Sequence, residues 1–141
     1  MQGFAALRIL IVEDEGIIAD DIASRLKRAG YEVTAIAASA EEVFAGWRES
    51  RPDLILMDIH IDGPMDGIQT AARLRETSDI PIVFLSAHAD RETMGRAEAT
   101  GAFAFVTKPI QSVKLMTAIE EAAQRHRGAG GDRLPVRQAS S

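Results

Sequence analysis

The sequence contains no cysteine, which excludes disulfide bonds, thiol catalysis and cysteine-ligated zinc. Aromatic residues make up only 5% of the chain, so the core must be aliphatic and a base-stacking platform for RNA is not expected. The chain also lacks an apolar run of the roughly 18 residues that a membrane span requires, and its first residues lack a basic, signal-like region. We therefore expect a cytoplasmic protein with no membrane partner.

Charge is unevenly distributed along the 141 residues, although the composition is that of an ordinary globular chain. Hydrophobic residues make up 46% and charged residues 26%, which excludes global disorder and suffices for one domain with its own core. Residues 1–123 carry a net charge of −8, whereas residues 124–141 carry +3. An acidic body argues against nucleic-acid binding by this domain.

Apolar segments alternate with helical patterns five times along the chain. The segments typical of buried parallel strands are residues 7–12, 32–37, 54–57, 81–85 and 103–106. The helix signals between and after them are a stop at Gly30, N-terminal capping residues at Ser39, Asp66 and Asp90, and an amphipathic stretch over 112–127. Alternation of this kind predicts an α/β fold with a doubly wound, five-stranded parallel sheet.

The periodic pattern ends near residue 127. We expect residues 1–127 to form the domain and residues 128–141, which begin with a glycine-rich stretch, to form a flexible tail or linker. Ligands of doubly wound sheets bind beyond the carboxyl ends of the strands. The residues that follow each predicted strand are therefore the candidate site.

Polar side chains of both charges follow four of the five predicted strands. Glu13 and Asp14 follow the first strand, Asp58 the third, Ser86 the fourth and Lys108 the fifth. Carboxylates that lie close together repel one another, and Mg²⁺, which prefers oxygen ligands, relieves that repulsion. A hydroxyl and an ammonium group suit a bound phosphoryl group. The centrally placed Asp58 is the best candidate for a nucleophile that forms an aspartyl phosphate.

Five short motifs together resemble the motif set of response-regulator receiver domains, the CheY-like family. They are Glu13-Asp14, Leu56-Met57-Asp58, Met65-Asp66-Gly67, Leu85-Ser86-Ala87 and Val106-Thr107-Lys108-Pro109. The resemblance covers about residues 7–127, and the five motifs in this order are specific although each is weak alone. It implies a (βα)5, flavodoxin-like sheet with strand order 2-1-3-4-5. It also implies that Asp58 accepts a phosphoryl group from a histidine kinase or a histidine phosphotransfer protein.

The same resemblance implies a magnesium site, in which Mn²⁺ can substitute. Asp14 and Asp58 are expected to ligate the ion directly, Glu13 to act through a water molecule, and His60 to contribute its backbone carbonyl. Whether the His60 side chain also tunes dephosphorylation is left open by its sequence position, two residues after the phospho-acceptor. Asp62 is expected to be a solvated loop residue.

The resemblance also implies a conformational switch. Ser86 is expected to bind the phosphoryl oxygens and to move inward on phosphorylation, while Lys108 pairs with the phosphoryl group and precedes Pro109 in a cis peptide bond. Phe105 matches the aromatic switch position that couples to Ser86, with plain core packing as the alternative. Phosphorylation would then alter a face made by the fourth helix, fifth strand and fifth helix.

The implied partners follow from that switch. They are a sensor kinase or phosphotransfer protein on one side and a downstream protein or fused output domain on the other, with a possible homodimer through the switching face. The resemblance implies a signalling domain, stand-alone or part of a longer regulator, and not an enzyme, with only self-phosphorylation and self-dephosphorylation.

The chain departs from the family's commonest form in three features. The loop before Asp66 is one residue longer, Ser86 stands where threonine is more common, and Phe105 lacks the hydroxyl group of a tyrosine.

Two other functions share this architecture. A haloacid-dehalogenase-like, Mg²⁺-dependent phosphatase also uses a strand-end aspartate as nucleophile, but it requires a second aspartate where this chain has His60. A nucleotide or flavin binder requires a glycine-rich phosphate loop after the first strand, and residues 13–16 are acidic instead. His88 is expected to lie at the surface, and His126 is expected to be a tail residue.

Overall fold

The computed structural model describes residues 6–101 and 104–129, with side chains to residue 126. Strands and helices alternate through these ranges, as predicted. The strands are β1 (Arg8–Val12), β2 (Glu32–Ala37), β3 (Leu54–Asp58), β4 (Ile82–Ser86) and β5 (Ala104–Thr107). The helices are α1 (Gly16–Arg28), α2 (Ala40–Ser50), α3 (Gly67–Arg75), α4 (Arg91–Ala99) and α5 (Ser112–Ala129). Within the described part of the chain, no helix combines the length and hydrophobicity that crossing a bilayer requires.

The five strands form one parallel sheet in the order β2-β1-β3-β4-β5, which confirms the predicted topology. Successive strand residues face opposite sides, so Ile9 and Ile11 pack with α1 and α5, whereas Leu10 and Val12 pack with α2, α3 and α4. Each strand of the sheet centre is therefore buried on both faces. This double burial explains why the central strands are continuous apolar runs in the sequence.

Three of the helices, α2, α3 and α4, begin directly after the capping residues that the sequence predicts. The Asp66 side chain accepts a hydrogen bond from the Gln69 backbone N–H, and the Gln69 side chain accepts one from the Asp66 N–H. Ser39 and Asp90 likewise each accept a bond from the N–H three residues on. Gly30 ends the first helix with a φ of +97°, a conformation that favours glycine.

Element boundaries differ from the prediction by one or two residues. β4 begins at Ile82 because Pro81 has no N–H for the ladder, although its carbonyl accepts a bond from Ile55. Helix α5 continues to Ala129, two residues past the predicted end, a difference of the size that is usual at helix ends. Residue 103 of the predicted fifth strand and residues 130–141 of the predicted tail lie outside the described residues.

Strand β2 forms an outer edge of the sheet and pairs irregularly with β1. Ile9 pairs with Val33, but the next residue, Leu10, pairs with Ala35. Thr34 is therefore an inserted residue, as in a β-bulge. A bulge of this kind bends the outer strand and increases its local twist.

Gly67 lies where α3 meets the end of β3, and it has no room for a side chain. Its N–H donates to the Ile59 carbonyl at 2.7 Å, and a Cβ at this position would overlap the carbonyl oxygen of Asp58. By contrast, a Cβ at Gly95 in the middle of α4 would meet nothing within 4 Å. The two glycines therefore have opposite structural roles.

Substitution of these glycines by alanine is expected to change stability in opposite directions. Gly67→Ala is expected to lower the free energy of unfolding by about 1–3 kcal/mol, because the backbone must shift to remove the overlap. Gly95→Ala is expected to raise it by up to about 1 kcal/mol, because alanine favours a helix interior. Urea denaturation followed by circular dichroism measures both. Equal stability of Gly67→Ala and the wild type would contradict the close approach of α3 to β3.

Candidate functional site

Four strands of the sheet bring the predicted site residues to one edge. Glu13 and Asp14 follow β1, Asp58 ends β3, Ser86 ends β4 and Lys108 follows β5. Parallel strands in the observed order present their carboxyl ends on the same side, so the sheet topology brings together residues that are far apart in the chain. The sequence predicted this convergence, and the side-chain contacts below confirm it for Glu13, Asp14, Asp58 and Lys108.

Three carboxylates form the centre of the site. Glu13, Asp14 and Asp58 each offer an oxygen within 4.8 Å of the others. Glu13 and Asp58 are almost fully buried, at 2% and 3% exposure, and Asp14 is half-buried. Buried carboxylates this close are stable as ions only near positive charge, and carboxylate oxygens are the ligands that Mg²⁺ prefers. The donor set therefore fits a hard divalent cation.

Lys108 supplies positive charge to two of these carboxylates. Its Nζ lies 2.7 Å from Oδ2 of Asp58 and 3.1 Å from Oε1 of Glu13. Burial opposes the ammonium charge, but the hydrogen bonds and charges of Asp58 and Glu13 outweigh this and raise the pKa of Lys108 above its usual 10.5. The Lys108–Pro109 peptide bond is cis, as expected from the sequence. One cation therefore faces three acids, which leaves the group with net negative charge.

The remaining oxygens of the two buried acids accept backbone hydrogen bonds. Oδ1 of Asp58 accepts the His60 N–H at 2.9 Å, and Oε2 of Glu13 accepts the Glu15 N–H at 3.2 Å. Burial, together with the hydrogen bond and charge of Asp58, raises the pKa of Glu13 from 4.5 to about 7. Glu13 is thus partly protonated at neutral pH when no further cation is near.

The hydroxyl of Ser86 is held by the loop that follows β4. It donates to the His88 carbonyl at 3.1 Å and accepts the His88 N–H at 3.0 Å. The Ser86 side chain is fully buried, whereas His88 is exposed, as predicted. The sequence did not predict that the His88 ring would meet the His60 ring edge-on, with centroids 5.2 Å apart. Both imidazoles are therefore close to the ends of the strands that carry Asp58 and Ser86.

Three other residues that the sequence singled out, Phe105, Asp66 and His126, lie outside the group of three carboxylates. Phe105 is half-buried on β5 and packs against the core on the α2–α4 side. Asp66 is a helix cap, as predicted, and also pairs with Arg96 of α4 at 3.0 Å. His126 belongs to the end of α5 and contacts Asp79 at 3.6 Å, away from the acidic group.

Asp62 is exposed, as predicted for a loop residue, but it is not isolated. The neighbouring Asp14 carboxyl group, through hydrogen bonding and charge, raises the pKa of Asp62 above its usual 3.8. The two residues are far apart in the sequence, so no local pattern could predict that they are neighbours. A fourth acid therefore adjoins the three-carboxylate group.

Comparison with known proteins identifies relatives of this chain. A family model described as "Response regulator receiver domain" matches residues 9–120. "Transcriptional regulatory protein PdtaR" of Mycobacterium tuberculosis is 37% identical over 120 residues, which cover 85% of this chain and 58% of that protein. "Transcriptional regulatory protein CseB" of Streptomyces coelicolor is 33% identical over 123 residues, which cover 87% and 52%. The chain thus spans little more than half the length of these relatives.

Comparison with solved structures identifies the same family. The signal receiver domain of a modulated diguanylate cyclase from Desulfovibrio desulfuricans is 33% identical, with a TM-score of 0.81 and coverage of 87% of this chain and 98% of that one. A CheY-like receiver domain protein from Methanospirillum hungatei is 28% identical, with a TM-score of 0.80 and coverage of 89% and 100%. The chain belongs to the response regulator receiver domain family, the signalling domains of two-component systems.

Proposed function

We propose that this domain accepts a phosphoryl group on Asp58 from the phosphohistidine of a histidine kinase or a histidine phosphotransfer protein. The observation that carries the proposal is the setting of Asp58: a buried carboxylate beside two acids and 2.7 Å from the Lys108 ammonium. A carboxylate oxygen of Asp58 bonds to phosphorus while the phosphorus–nitrogen bond of the donor breaks, and the imidazole leaves with the electron pair.

The acids beside Asp58 are the proposed magnesium ligands. Asp14 and Asp58 would hold the ion directly, Glu13 would act through a water molecule, and the backbone carbonyl of His60 would complete the protein ligands; Mn²⁺ could substitute. When bound, the ion supplies positive charge that offsets the negative charge of the phosphoryl group and of the acids. Lys108 pairs with the phosphoryl oxygens. Its ammonium group already donates a hydrogen bond to Asp58, so it lies beside the carboxylate that would carry the phosphoryl group.

Ser86 and Phe105 are the proposed switch residues. To bind a phosphoryl oxygen on Asp58, the Ser86 hydroxyl must exchange its hydrogen bonds with the His88 backbone for one to the phosphoryl group. That exchange would release the loop that precedes α4, and Phe105 beside Phe84 in the sheet would respond by changing rotamer. The α4–β5–α5 face then carries the signal to a partner, with a homodimer as one form of output.

The proposed biological setting is cytoplasmic, with receiver function carried by residues 1–127. The curated relatives are named transcriptional regulators and are longer than this chain, which supports a fused output domain or a downstream partner protein. The acidic receiver itself is proposed not to bind nucleic acid. Its only reactions are proposed to be phosphorylation and dephosphorylation of Asp58, since the second aspartate that a haloacid-dehalogenase-like phosphatase requires is replaced by His60.

Removal of the divalent cation is expected to stop phosphorylation. With acetyl phosphate and Mg²⁺, intact-mass spectrometry should show one added phosphoryl group per chain, and with EDTA it should show none, because the acids then repel the incoming phosphate. Mn²⁺ should restore uptake. Equal uptake in EDTA and in Mg²⁺ would contradict the proposed metal dependence, and uptake in neither would contradict the receiver function.

A further inference from the structure

Two imidazole rings lie against each other at the carboxyl end of the sheet. His60 follows β3 and His88 follows β4, and these strands are neighbours in the sheet. The ring centroids are 5.2 Å apart, with the ring planes at 88°, and both side chains are exposed. Within residues 6–101 and 104–126, no hydrogen bond or ion pair occupies a nitrogen of either ring. The ring nitrogens are therefore accessible to a ligand from solvent.

The backbone of each histidine is held in place. The His60 N–H donates to Oδ1 of Asp58 at 2.9 Å, and the adjoining Ile59 is buried. The His88 N–H donates to Oγ of Ser86 at 3.0 Å, and the His88 carbonyl accepts the Ser86 hydroxyl at 3.1 Å. Rotation of the two side chains is therefore the only change that convergence of their nitrogens on one ion requires. A site with a fixed backbone binds its ligand at a lower entropic cost.

The spacing of the two rings suits a transition-metal ion. Imidazole is the commonest protein ligand for metals, and it suits Zn²⁺, Ni²⁺ and Cu²⁺ in particular. With Zn–N bonds of about 2 Å and tetrahedral angles, the centres of two imidazoles on one zinc ion lie about 5 Å apart. The observed separation of 5.2 Å matches this value. Because Mg²⁺ prefers carboxylate oxygens, the histidine pair selects a different ion from the one that the acidic group fits.

We propose that His60 and His88 form a second metal site, which binds Zn²⁺ or a similar transition-metal ion through one nitrogen of each ring, with water completing the coordination. A bound ion ties the segment after β3 to the loop after β4. Since the Ser86 hydroxyl is bonded to the His88 backbone, the tie also holds those hydrogen bonds. The ion thus opposes the exchange that Ser86 must make to bind a phosphoryl oxygen. This last step, unlike the metal site, rests on the proposed function.

Isothermal titration calorimetry with Zn²⁺, in the presence of excess Mg²⁺, tests the site. The chain has no cysteine that could bind zinc, and we expect one zinc ion per chain at the histidine pair. His60→Gln and His88→Gln are each expected to weaken zinc binding at least about tenfold, because each leaves a single imidazole. His126→Gln is the matched control: it removes the third histidine of the chain, which lies by Asp79, and it should bind zinc as the wild type does.

Three results would overturn the histidine site. They are no zinc binding by the wild type, wild-type zinc affinity in either His60→Gln or His88→Gln, and an equal loss of affinity in Asp14→Asn. The last result would place the zinc ion at the acidic group. Circular dichroism spectra of all variants check that the fold is retained.

The effect on Ser86 is measured separately with beryllofluoride, a mimic of the phosphoryl group, in the presence of Mg²⁺. Saturating Zn²⁺ should weaken beryllofluoride binding about five- to tenfold, and beryllofluoride should weaken zinc binding by the same factor, because coupling between two sites is reciprocal. In His88→Gln, Zn²⁺ should have no such effect. Unchanged beryllofluoride affinity at saturating Zn²⁺ would overturn the hold on Ser86. Failure of the zinc-free wild type to bind beryllofluoride would instead contradict the proposed function, and the zinc titration would still decide the metal site.

Discussion

Asp58→Asn is expected to abolish phosphate uptake from acetyl phosphate. The substitution keeps the size of the side chain and an oxygen that can accept the His60 N–H, but it removes the anionic oxygen that attacks phosphorus. Intact-mass spectrometry in the presence of Mg²⁺ should show one phosphoryl group on the wild type and none on the variant. Asp20→Asn, the same change at an exposed position of α1, should take up phosphate like the wild type.

Two results would contradict the assignment of Asp58. Equal uptake by Asp58→Asn and the wild type would place the phosphoryl group on another residue. Repeated turnover of a free phosphate ester at enzyme-like rates would contradict a signalling role, because the proposed reaction ends with one phosphoryl group per domain. A spectrophotometric assay with p-nitrophenyl phosphate measures such turnover directly.

Glu13→Gln is expected to stabilise the metal-free domain above neutral pH. The pKa of Glu13 is about 7 in the folded protein, compared with an ordinary value of 4.5, because of burial and the neighbouring Asp58. The folded state therefore holds a proton that the unfolded chain has already lost, and stability falls as pH rises from 4.5 through 7. Glutamine stays neutral and avoids this loss in the free energy of unfolding, which amounts to at most about 3 kcal/mol.

Urea denaturation in EDTA at about pH 4 and pH 8 measures this effect. Near pH 4 both folded proteins carry a neutral side chain at this position, so their unfolding free energies should be similar; at pH 8 the variant should be the more stable. Glu49→Gln, at an exposed site, serves as the control and should show the pH dependence of the wild type. Parallel pH profiles for Glu13→Gln and the wild type would show that Glu13 does not titrate in this range.

The fold was predictable because its signals are local and agree with one another. Apolar runs marked the central strands, and Ser39, Asp66 and Asp90 marked helix starts that the structure confirms. Boundaries were less predictable: α5 ends at Ala129, two residues past the expected end, because the last turn of a helix has weak local sequence signals. The strand order came from the resemblance of the motifs, and the sheet pairing confirms it.

The site was predictable at its centre and not at its rim. Glu13, Asp58 and Lys108 end or follow strands of one parallel sheet, so the topology alone brings them to one edge. The partner of the Ser86 hydroxyl and the proximity of Asp14 to Asp62 depend on rotamers and loop paths, which tertiary packing determines. Such features have no periodicity or spacing from which they could be inferred.

The irregular pairing of β2 has a consequence for self-association. A straight outer strand with free backbone groups is a template on which another chain can add a strand, and this is a common route to aggregation. The bulge at Thr34 bends β2, and the charged Glu32 and Arg8 pair across its start at 2.8 Å. A bent edge with charges disfavours strand addition. The β2 side of the sheet is thereby protected against growth into larger β-structures.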